Sequence, residues 1–251
     1  MKFLAIIPSR YASTRFPGKP LAEIGGKPMV QHVYERVSQY FAECWVATDD
    51  TRIEQAVENF GGRVVMTSAA HRSGTDRCAE ALSEIERSTG CRFDVVVNIQ
   101  GDEPFIAEEH LVKIKDAFTD NDVQIATLVK PFGEGEEITN PNTPKVVVSA
   151  SGDALYFSRS VIPYLRNVEP GEWQKTHKYL KHIGVYAWRA DVLRAVTRLP
   201  QGVLELAESL EQLRWLENGY RIKTVEVTTE TVAVDTPEDL ERVAALMSRK
   251  F

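Results

Sequence analysis

Residues 3–21, FLAIIPSRYASTRFPGKPL, join an apolar run to a polar loop that is rich in cations. The run Phe3–Pro8 is typical of a strand buried on both faces of a sheet. The loop that follows contains Arg10, Ser13, Thr14, Arg15, Gly18 and Lys19. Backbone N–H groups, hydroxyls and fixed cations at the end of a strand are what a polyphosphate requires. We therefore predict a phosphate site here, with Lys19 and Arg10 as its main cations; Arg15 is as readily explained as a surface charge.

The first hundred residues alternate between strand-like and helix-like segments. The apolar runs of strand length are Phe3–Pro8, Cys44–Thr48, Val64–Thr67 and Asp94–Gln100. The segments with helical spacing are Met29–Phe41, Thr51–Phe60 and Thr75–Glu86. Such alternation predicts an α/β fold with a mainly parallel sheet covered by helices on both faces. We find no linker or internal repeat, so we expect one domain over residues 1–251 with an inserted lobe.

The pattern changes near residue 130. Lys145–Ser149 and Ala154–Ser158 flank a turn and predict a hairpin, and Ile183–Trp188 predicts another strand. We therefore expect a β-rich lobe at about residues 130–190. Beyond it the sequence predicts a helix over Leu204–Asn218 ended by Gly219, strands at Arg221–Val227 and Thr231–Val234, and a last helix from Pro237 that Thr236 and Asp239 cap.

Composition excludes several classes of protein. Of 251 residues, 43% are hydrophobic and 26% charged, as in ordinary globular proteins. The net charge of −6 makes non-specific binding to nucleic acid unfavourable, while the excess of cations in residues 1–36 suggests a local anion site. Cys44, Cys78 and Cys91 match neither a disulfide framework nor a zinc site. There is no signal-peptide core and no membrane-length apolar run, so we expect a reduced, cytoplasmic protein without membrane contacts.

Two acidic residues follow predicted strands. In Asn98–Pro104, NIQGDEP, Asp102 comes directly after a buried strand, and Asp235 holds the same position in VAVDTPEDL. Asp102 is otherwise a common turn residue, and Asp235 is otherwise an N-cap, although Thr236 already serves that purpose. Mg²⁺ takes one or two carboxylates together with substrate oxygens. The sequence thus suggests that both residues share a magnesium ion; Glu103 is a weaker candidate that more readily faces solvent or caps a helix.

Further polar residues are individually weak signals. In Arg72–Arg77, RSGTDR, Ser73 or Thr75 caps a helix, or these residues and Gly74 bind the edge of a nucleobase. Other polar residues stand in otherwise apolar surroundings; these are Arg159, His182, Glu211 and Gln212. A lone histidine is more often packed or on the surface than catalytic.

Seven segments taken together resemble a known family. They are IIPSRYASTRFPGKPL, HRSGTDR, NIQGDEP, ALYFSR, HIGVYAWR, SLEQLRWLENG and VAVDTPEDLERV. In this order and spacing the chain resembles the 3-deoxy-manno-octulosonate (Kdo) cytidylyltransferases over essentially its whole length. RYASTRxPGKPL is specific, because the related sialic acid cytidylyltransferases continue the same opening differently. Ser9 is the one departure, at a position where alanine is often expected.

The resemblance implies a role for each matching residue. It implies that CTP is bound by Arg10, Ser13, Lys19, Ser73, Gly74, Thr75 and Gln100, of which Ser73, Gly74 and Thr75 lie at the cytidine. The residues implied to line the sugar-acid pocket are Gln100, Arg159, His182, Tyr186, Glu211 and Gln212. The implied catalytic residues are Arg10, Lys19, Asp102 and Asp235, the two acids being the Mg²⁺ ligands. A Rossmann-like fold and a homodimer, with the β-rich lobe at its interface, are also implied.

The implied reaction is CTP + Kdo → CMP-Kdo + diphosphate, which activates Kdo for lipopolysaccharide synthesis. The anomeric hydroxyl attacks the α-phosphorus in line, Lys19 and Arg10 stabilise the leaving pyrophosphate, and Arg159 meets the sugar carboxylate. One alternative is a cytidylyltransferase for another acidic sugar, such as 8-amino-Kdo or sialic acid. A second is a nucleotide-binding protein without catalysis. A dinucleotide-dependent oxidoreductase is disfavoured because the GxGxxG fingerprint is absent.

Overall fold

A computed structural model describes residues 1–12, 16–230, 234, 236 and 238–242 of the chain. Two units are distinguished by their internal contacts, the first comprising residues 1–111 with 230–251 and the second residues 112–229. The predicted site residues Ser13 and Asp235 lie outside the described residues, as does most of the predicted strand Thr231–Val234.

The first unit is built on parallel strands with helical crossovers. Its elements are β1 (Phe3–Ser9), a 3-10 helix (Lys19–Leu21), β2 (Glu23–Ile24), β3 (Lys27–Pro28), α1 (Met29–Ser38), β4 (Cys44–Thr48), α2 (Thr51–Asn59), β5 (Val64–Met66), α3 (Gly74–Thr89), β6 (Val95–Asn98) and α4 (Glu108–Asp116), within which the unit ends. Its sheet has the order β6–β1–β4–β5, and every pair is parallel. The predicted α/β fold with a mainly parallel sheet is thus confirmed.

Burial explains why these segments adopt their structures. Leu4–Ile7 in β1 and Val95–Val97 in β6 are completely buried, as expected for strands covered on both faces. In α3 the buried Cys78, Ala81, Leu82 and Ile85 recur at three-and-four spacing. This helix begins at an N-cap serine and ends at Gly90, whose φ of 69° is left-handed. The core of the unit therefore lies between the sheet and the helices that the sequence predicts.

The second unit is richer in antiparallel pairs. Its elements are β7 (Ile125–Pro131), β8 (Lys145–Val148), β9 (Ala154–Ser158), α5 (Trp173–Thr176), β10 (Leu180–Arg189), α6 (Ala190–Val196), α7 (Val203–Glu208), α8 (Gln212–Glu217) and β11 (Ile222–Glu226). β7 pairs with β11 in parallel and with β10 antiparallel, and β10 pairs with β8. β8 and β9 form the predicted hairpin. That this region acts as a dimerisation lobe stays a prediction.

The prediction of one helix over Leu204–Asn218 is wrong. The segment forms two helices, because Ser209 adopts φ 51° and ψ 47°, a left-handed conformation that ends α7. An L-residue in this conformation costs about 1–2 kcal/mol, so other contacts must hold it. The predicted stop at Gly219 is confirmed by its φ of 81°.

The predicted cap of the last helix is also confirmed. Asp239 N–H donates to Thr236 Oγ1 at 3.2 Å, and Thr236 N–H donates to Asp239 Oδ2 at 3.1 Å. This reciprocal pair satisfies two N–H groups that a helix start leaves without partners. Across the described part of the chain, no helix has both the length and the hydropathy to cross a lipid bilayer.

Candidate active site

A cavity of about 310 Å³ opens in the first unit where β1 and β6 end. Its volume lies at the lower end of the range for small-molecule sites. The carboxyl edge of an open α/β sheet is where ligands generally bind. The lining residues are Pro8, Ser9, Arg10, Lys19, Pro20, His71, Arg72, Ser73, Gly74, Arg77, Gln100, Gly101 and Asp102.

Six of the residues proposed from the sequence are therefore brought together in one cavity. They are Arg10, Lys19, Ser73, Gly74, Gln100 and Asp102. Thr75 is not among the lining residues, and its side chain is buried in α3. The location of these residues is a finding, whereas the role of each one stays a prediction.

Gly18 follows the loop after β1 and contacts Tyr11 near the start of that loop. Its φ is 72°, its N–H donates to the Tyr11 carbonyl at 2.9 Å, and a Cβ here would lie 3.1 Å from the Tyr11 ring. On the same ring lies the guanidinium of Arg52, 3.3 Å from the centroid, and Asp50 holds that guanidinium by an ion pair of 2.6 Å. Only glycine combines this backbone conformation with this close approach. Lys19 follows Gly18 directly, at the start of the 3-10 helix and at the cavity.

Lys19 and Asp102 form an ion pair at the cavity. Lys19 Nζ lies 2.7 Å from Asp102 Oδ2, and the two side chains are 15% and 29% exposed. Gly101 packs so closely on β1 that a Cβ would lie 2.9 Å from the Pro8 carbonyl oxygen and 3.0 Å from Ser9 Oγ. This close packing fixes the turn after β6, and with it the position of the Asp102 carboxylate.

The amino end of α3 forms another part of the cavity wall. Ser73 is the N-cap, and its Oγ accepts the Asp76 N–H at 3.1 Å, so the capping role considered from the sequence is confirmed. Gly74 begins the helix, where a hypothetical Cβ would lie 3.5 Å from Asn98 Nδ2. The N-terminal N–H groups of a helix favour a negatively charged ligand.

Three residues that line this part of the cavity were not proposed from the sequence, namely His71, Arg72 and Arg77. Arg77 is 4% exposed and donates to Thr67 Oγ1 at 2.7 Å and to Asp49 Oδ2 at 2.9 Å. His71 contacts Glu80, which also accepts the Ser68 N–H at 2.8 Å.

For Arg77 the available signal was helical spacing. Arg77 follows Gly74 by three positions in α3, so the two residues share one face of the helix. Partial burial opposes ionisation of Glu80, but the Ser68 N–H and His71 hold the pKa of its carboxyl below the ordinary value. His71 therefore faces a carboxylate that stays charged.

The second unit gathers a different set of candidates on β10. His182 Nε2 lies 3.0 Å from Thr127 Oγ1, and this hydroxyl donates to the Val185 carbonyl at 2.8 Å. The His182 ring makes an edge-on contact with Phe157 and a tilted contact with Tyr186, with centroids 5.3 and 5.2 Å away. Burial lowers the pKa of His182 to about 4, so its imidazole is neutral at pH 7.

Aromatic packing fixes Tyr186. Its ring stacks on Trp188 at a centroid distance of 5.6 Å and meets the edge of Trp215 at 5.1 Å. Both tryptophans are almost completely buried. Burial, with a smaller contribution from the charge of Glu211, raises the pKa of the Tyr186 phenol. The phenol therefore remains neutral and can donate a hydrogen bond.

Gln212 carries an unsatisfied polar atom. The residue is 5% exposed, and within the described residues its buried Nε2 has no hydrogen-bond acceptor. A buried donor without a partner costs about 1–3 kcal/mol, which a polar ligand or water would recover. Gln212 begins α8, and Glu211 immediately precedes it.

Arg159, at the end of β9, is already engaged with the backbone. Its guanidinium donates to the carbonyls of Pro141, Glu208 and Ser209. Three of its five N–H donors are thus occupied, and two remain for another acceptor. The second unit therefore holds five of the residues proposed for the sugar acid, while Gln100 lines the cavity of the first unit.

The family of this chain is shown by its similarity to known proteins. A family model described as "Cytidylyltransferase" matches residues 4–224. Proteins named 3-deoxy-manno-octulosonate cytidylyltransferase from Parabacteroides distasonis and Escherichia coli are 58% and 48% identical to the chain. Each comparison covers the whole of this chain, with 100% and 98% of the respective relative.

The chain is also similar to solved structures. A CMP:2-keto-3-deoxy-manno-octonic acid synthetase solved in complex with CTP is 47% identical, with a TM-score of 0.91 over the whole of both chains. A cytidylyltransferase from Leptospira borgpetersenii, 17% identical over 99% of this chain and 87% of its own, has a TM-score of 0.62 and shows the shared fold. The chain belongs to the 3-deoxy-manno-octulosonate cytidylyltransferase family.

Proposed function

We propose that the chain transfers CMP from CTP to Kdo and releases diphosphate. The observation that carries this proposal is the cavity where β1 and β6 end, which presents the cations Arg10 and Lys19 and the carboxylate of Asp102. The proposal is supported by the full-length similarity to a synthetase solved with CTP. Another acidic sugar is disfavoured as the acceptor, because relatives at 48–60% identity carry the Kdo-specific name.

In this proposal the first unit binds CTP. Arg10 and Lys19 bind the phosphates, since a guanidinium fork spans two phosphate oxygens and an ammonium supplies a compact charge. The backbone at Ser73–Gly74 binds the cytidine, with Gln100 alongside. Ser13 and Thr75 belong to the same proposed set, Ser13 outside the described residues and Thr75 buried behind the cavity wall.

Asp102 and Asp235 would hold Mg²⁺. Asp102 fits this role because its partly exposed carboxylate lies at the cavity, and Val234, the residue before Asp235, donates its N–H to the Asp102 carbonyl at 2.9 Å. No cluster of three metal-ligating side chains occurs among the described residues. A Mg²⁺ site completed by phosphate oxygens does not need one. When bound, Mg²⁺ neutralises charge on the α-phosphate and favours ionisation of the attacking hydroxyl.

The reaction needs no covalent bond to the protein. The anomeric oxygen of Kdo forms a bond to the α-phosphorus as the bond to the bridging oxygen breaks, and the electron pair leaves with the pyrophosphate. The hydroxyl proton is lost to solvent. Arg10 and Lys19 stabilise the negative charge that develops on the leaving pyrophosphate. Positioning and charge stabilisation thus account for the work of the chain's own residues.

The second unit would recognise the sugar acid. His182, Tyr186, Glu211 and Gln212 present neutral and charged hydrogen-bonding groups, which suit a ligand with many hydroxyls. The buried Nε2 of Gln212 supports this assignment because it needs an acceptor. A direct contact between Arg159 and the Kdo carboxylate stays a prediction, for which two N–H donors remain.

We also propose a homodimer formed through the β-rich second unit. Large apolar side chains are exposed there, namely Leu155, Tyr164, Val203 and Leu206. Contiguous exposed apolar surface often marks a protein interface. Sedimentation velocity tests this: a single species at twice the chain mass supports it, and a monomer at micromolar concentration contradicts it. A cytoplasmic location stays a prediction.

Pyrophosphate release from CTP, measured with and without Kdo, tests the proposed reaction. We expect release only with Kdo, and much less with ATP, GTP or UTP. Faster pyrophosphate release with 8-amino-Kdo or sialic acid would identify that sugar, and not Kdo, as the substrate. CTP binding without release from any of these acceptors would favour the non-catalytic alternative.

A further inference from the structure

The turn at Ser209 determines where α8 begins. Its φ of 51° and ψ of 47° are unfavourable for a residue other than glycine. Glu211 and Gln212 follow after Leu210 alone, so the directions of their side chains depend on this one backbone conformation. Between α7 and α8, the Leu210 N–H donates to the Glu205 carbonyl at 3.3 Å, which holds the turn against α7.

The guanidinium of Arg159 bridges this turn. Its Nε donates to the Glu208 carbonyl at 2.6 Å, and its Nη2 donates to the Ser209 carbonyl at 3.2 Å. These two carbonyls belong to the peptide planes on either side of Ser209. A rigid planar group that holds both planes fixes φ and ψ of the residue between them.

Arg159 is itself held at several points. Its backbone N–H donates to Glu208 Oε2 at 2.9 Å, and Ser158 Oγ donates to Glu208 Oε1 at 2.7 Å. Its Nη1 donates to the Pro141 carbonyl at 2.8 Å. Glu208 therefore accepts hydrogen bonds from Arg159 at both its carboxylate and its main-chain carbonyl. These contacts restrict the Arg159 side chain to one arrangement.

Lys145 fixes the backbone of Arg159 from the neighbouring strand. Its side chain is fully buried, and Nζ donates to the Arg159 carbonyl at 2.6 Å and to the carbonyls of Asn140 and Thr143 at 3.0 Å each. Three acceptors match the three N–H donors of an ammonium group. The buried amino group of Lys145 is thus held by three backbone carbonyls, one of which belongs to the residue that holds the Ser209 turn.

We propose that Arg159 is a positioning residue for the sugar-acid site, which holds Ser209 in its left-handed conformation and thereby orients Glu211 and Gln212. Lys145 supports it by fixing the Arg159 backbone. This inference rests on the proposed function, because it concerns the residues that would bind the sugar. It differs from a direct contact with the sugar carboxylate, since the effect of Arg159 passes through the backbone of another residue.

The test compares Arg159→Ala, Ser209→Gly and the double variant. We expect Arg159→Ala to raise the KM for Kdo at least tenfold and to change the KM for CTP less than twofold. Glycine adopts the left-handed conformation without help. The KM of the double variant for Kdo should therefore be at least threefold lower than that of Arg159→Ala. A direct contact with the carboxylate predicts no recovery, and that result would overturn the inference.

A matched control separates positioning from general destabilisation. Arg189 lies in the same unit, and its guanidinium also donates to three backbone carbonyls, those of Asp120, Asn121 and Val123. Arg189→Ala should leave the KM for Kdo within twofold of wild type. If Arg159→Ala does not fold, Ser209→Val supplies the second test. A β-branched residue opposes the left-handed conformation and should raise the KM for Kdo while Arg159 is intact.

Amide hydrogen exchange, measured without substrate, tests the inference independently of the proposed reaction. Exchange over residues 205–216 should accelerate at least tenfold in Arg159→Ala and return towards wild type in the double variant. Unchanged exchange would overturn the inference, as would faster exchange with an unchanged KM for Kdo. Wild-type protein that shows the expected exchange but no turnover with Kdo would instead contradict the proposed function.

Discussion

The two units present candidate residues of opposite character. In the first unit, Arg10, Lys19 and Asp102 are charged residues at an accessible cavity. In the second unit, burial keeps His182 and Tyr186 neutral, and aromatic rings hold them in place. A polyphosphate needs compensation of its charge, whereas a sugar needs fixed hydrogen-bonding groups. We therefore expect the first unit to contribute electrostatic stabilisation and the second to contribute orientation.

Removing the charge of Asp102 should have the largest effect. We expect Asp102→Asn to lower kcat at least ~100-fold at saturating Mg²⁺, because a lost metal ligand removes several kcal/mol of charge stabilisation. Steady-state pyrophosphate release measures this. Glu35→Gln is the matched control, since Glu35 forms an exposed ion pair with Lys27 in the same unit. If Asp102→Asn retained wild-type turnover, the electrostatic role proposed for the first unit would be contradicted.

Acid should destabilise the protein through His182. Its pKa is about 4 when folded and about 6.5 when unfolded, so the unfolded state binds the proton more readily as the pH falls through this window. We expect a loss of about 2 kcal/mol in unfolding free energy between pH 7.5 and pH 5. Urea denaturation at both pH values measures it. His182→Gln should lack this part of the pH dependence; an identical dependence in that variant would show that His182 is not buried as a neutral group.

Removing the ammonium group of Lys19 should have a smaller effect, confined to the nucleotide. We expect Lys19→Ala to lower kcat/KM for CTP about tenfold, because the phosphates lose one cation while Arg10 remains. The KM for Kdo should change little. Lys27→Ala removes an exposed lysine of the same unit and should match wild type. Equal increases in the KM for CTP and the KM for Kdo would contradict the division of roles between the units.

Adding one methyl group at Gly101 should have the smallest effect. The new Cβ would lie 2.9 Å from the Pro8 carbonyl oxygen, and such overpacking costs about 1 kcal/mol or more. Thermal unfolding measures the loss. A Cβ added at Gly171 in the second unit would have no neighbouring atom within 4 Å, so Gly171→Ala should leave the stability unchanged. Equal stability of the two variants would show that β1 and β6 do not require this close approach.

The sequence predicted the first unit better than the second. Continuous apolar runs such as Phe3–Pro8 identify buried parallel strands, and a cation-rich loop directly after one identifies the cavity. Those signals are local. The break at Ser209 has no local signal, because 204–218 is helical in pattern and the residue that bridges the turn, Arg159, lies fifty positions earlier. β7 was not predicted, since Thr127 and Lys130 interrupt its apolar run.

A crystal structure with CTP and Mg²⁺ tests the charge-stabilising role of the first unit most directly. We predict phosphate oxygens at Arg10 and Lys19, and one cation bound by Asp102, Asp235 and the α-phosphate. If either carboxylate pointed away from the α-phosphate and no cation lay beside it, this mechanism would be contradicted.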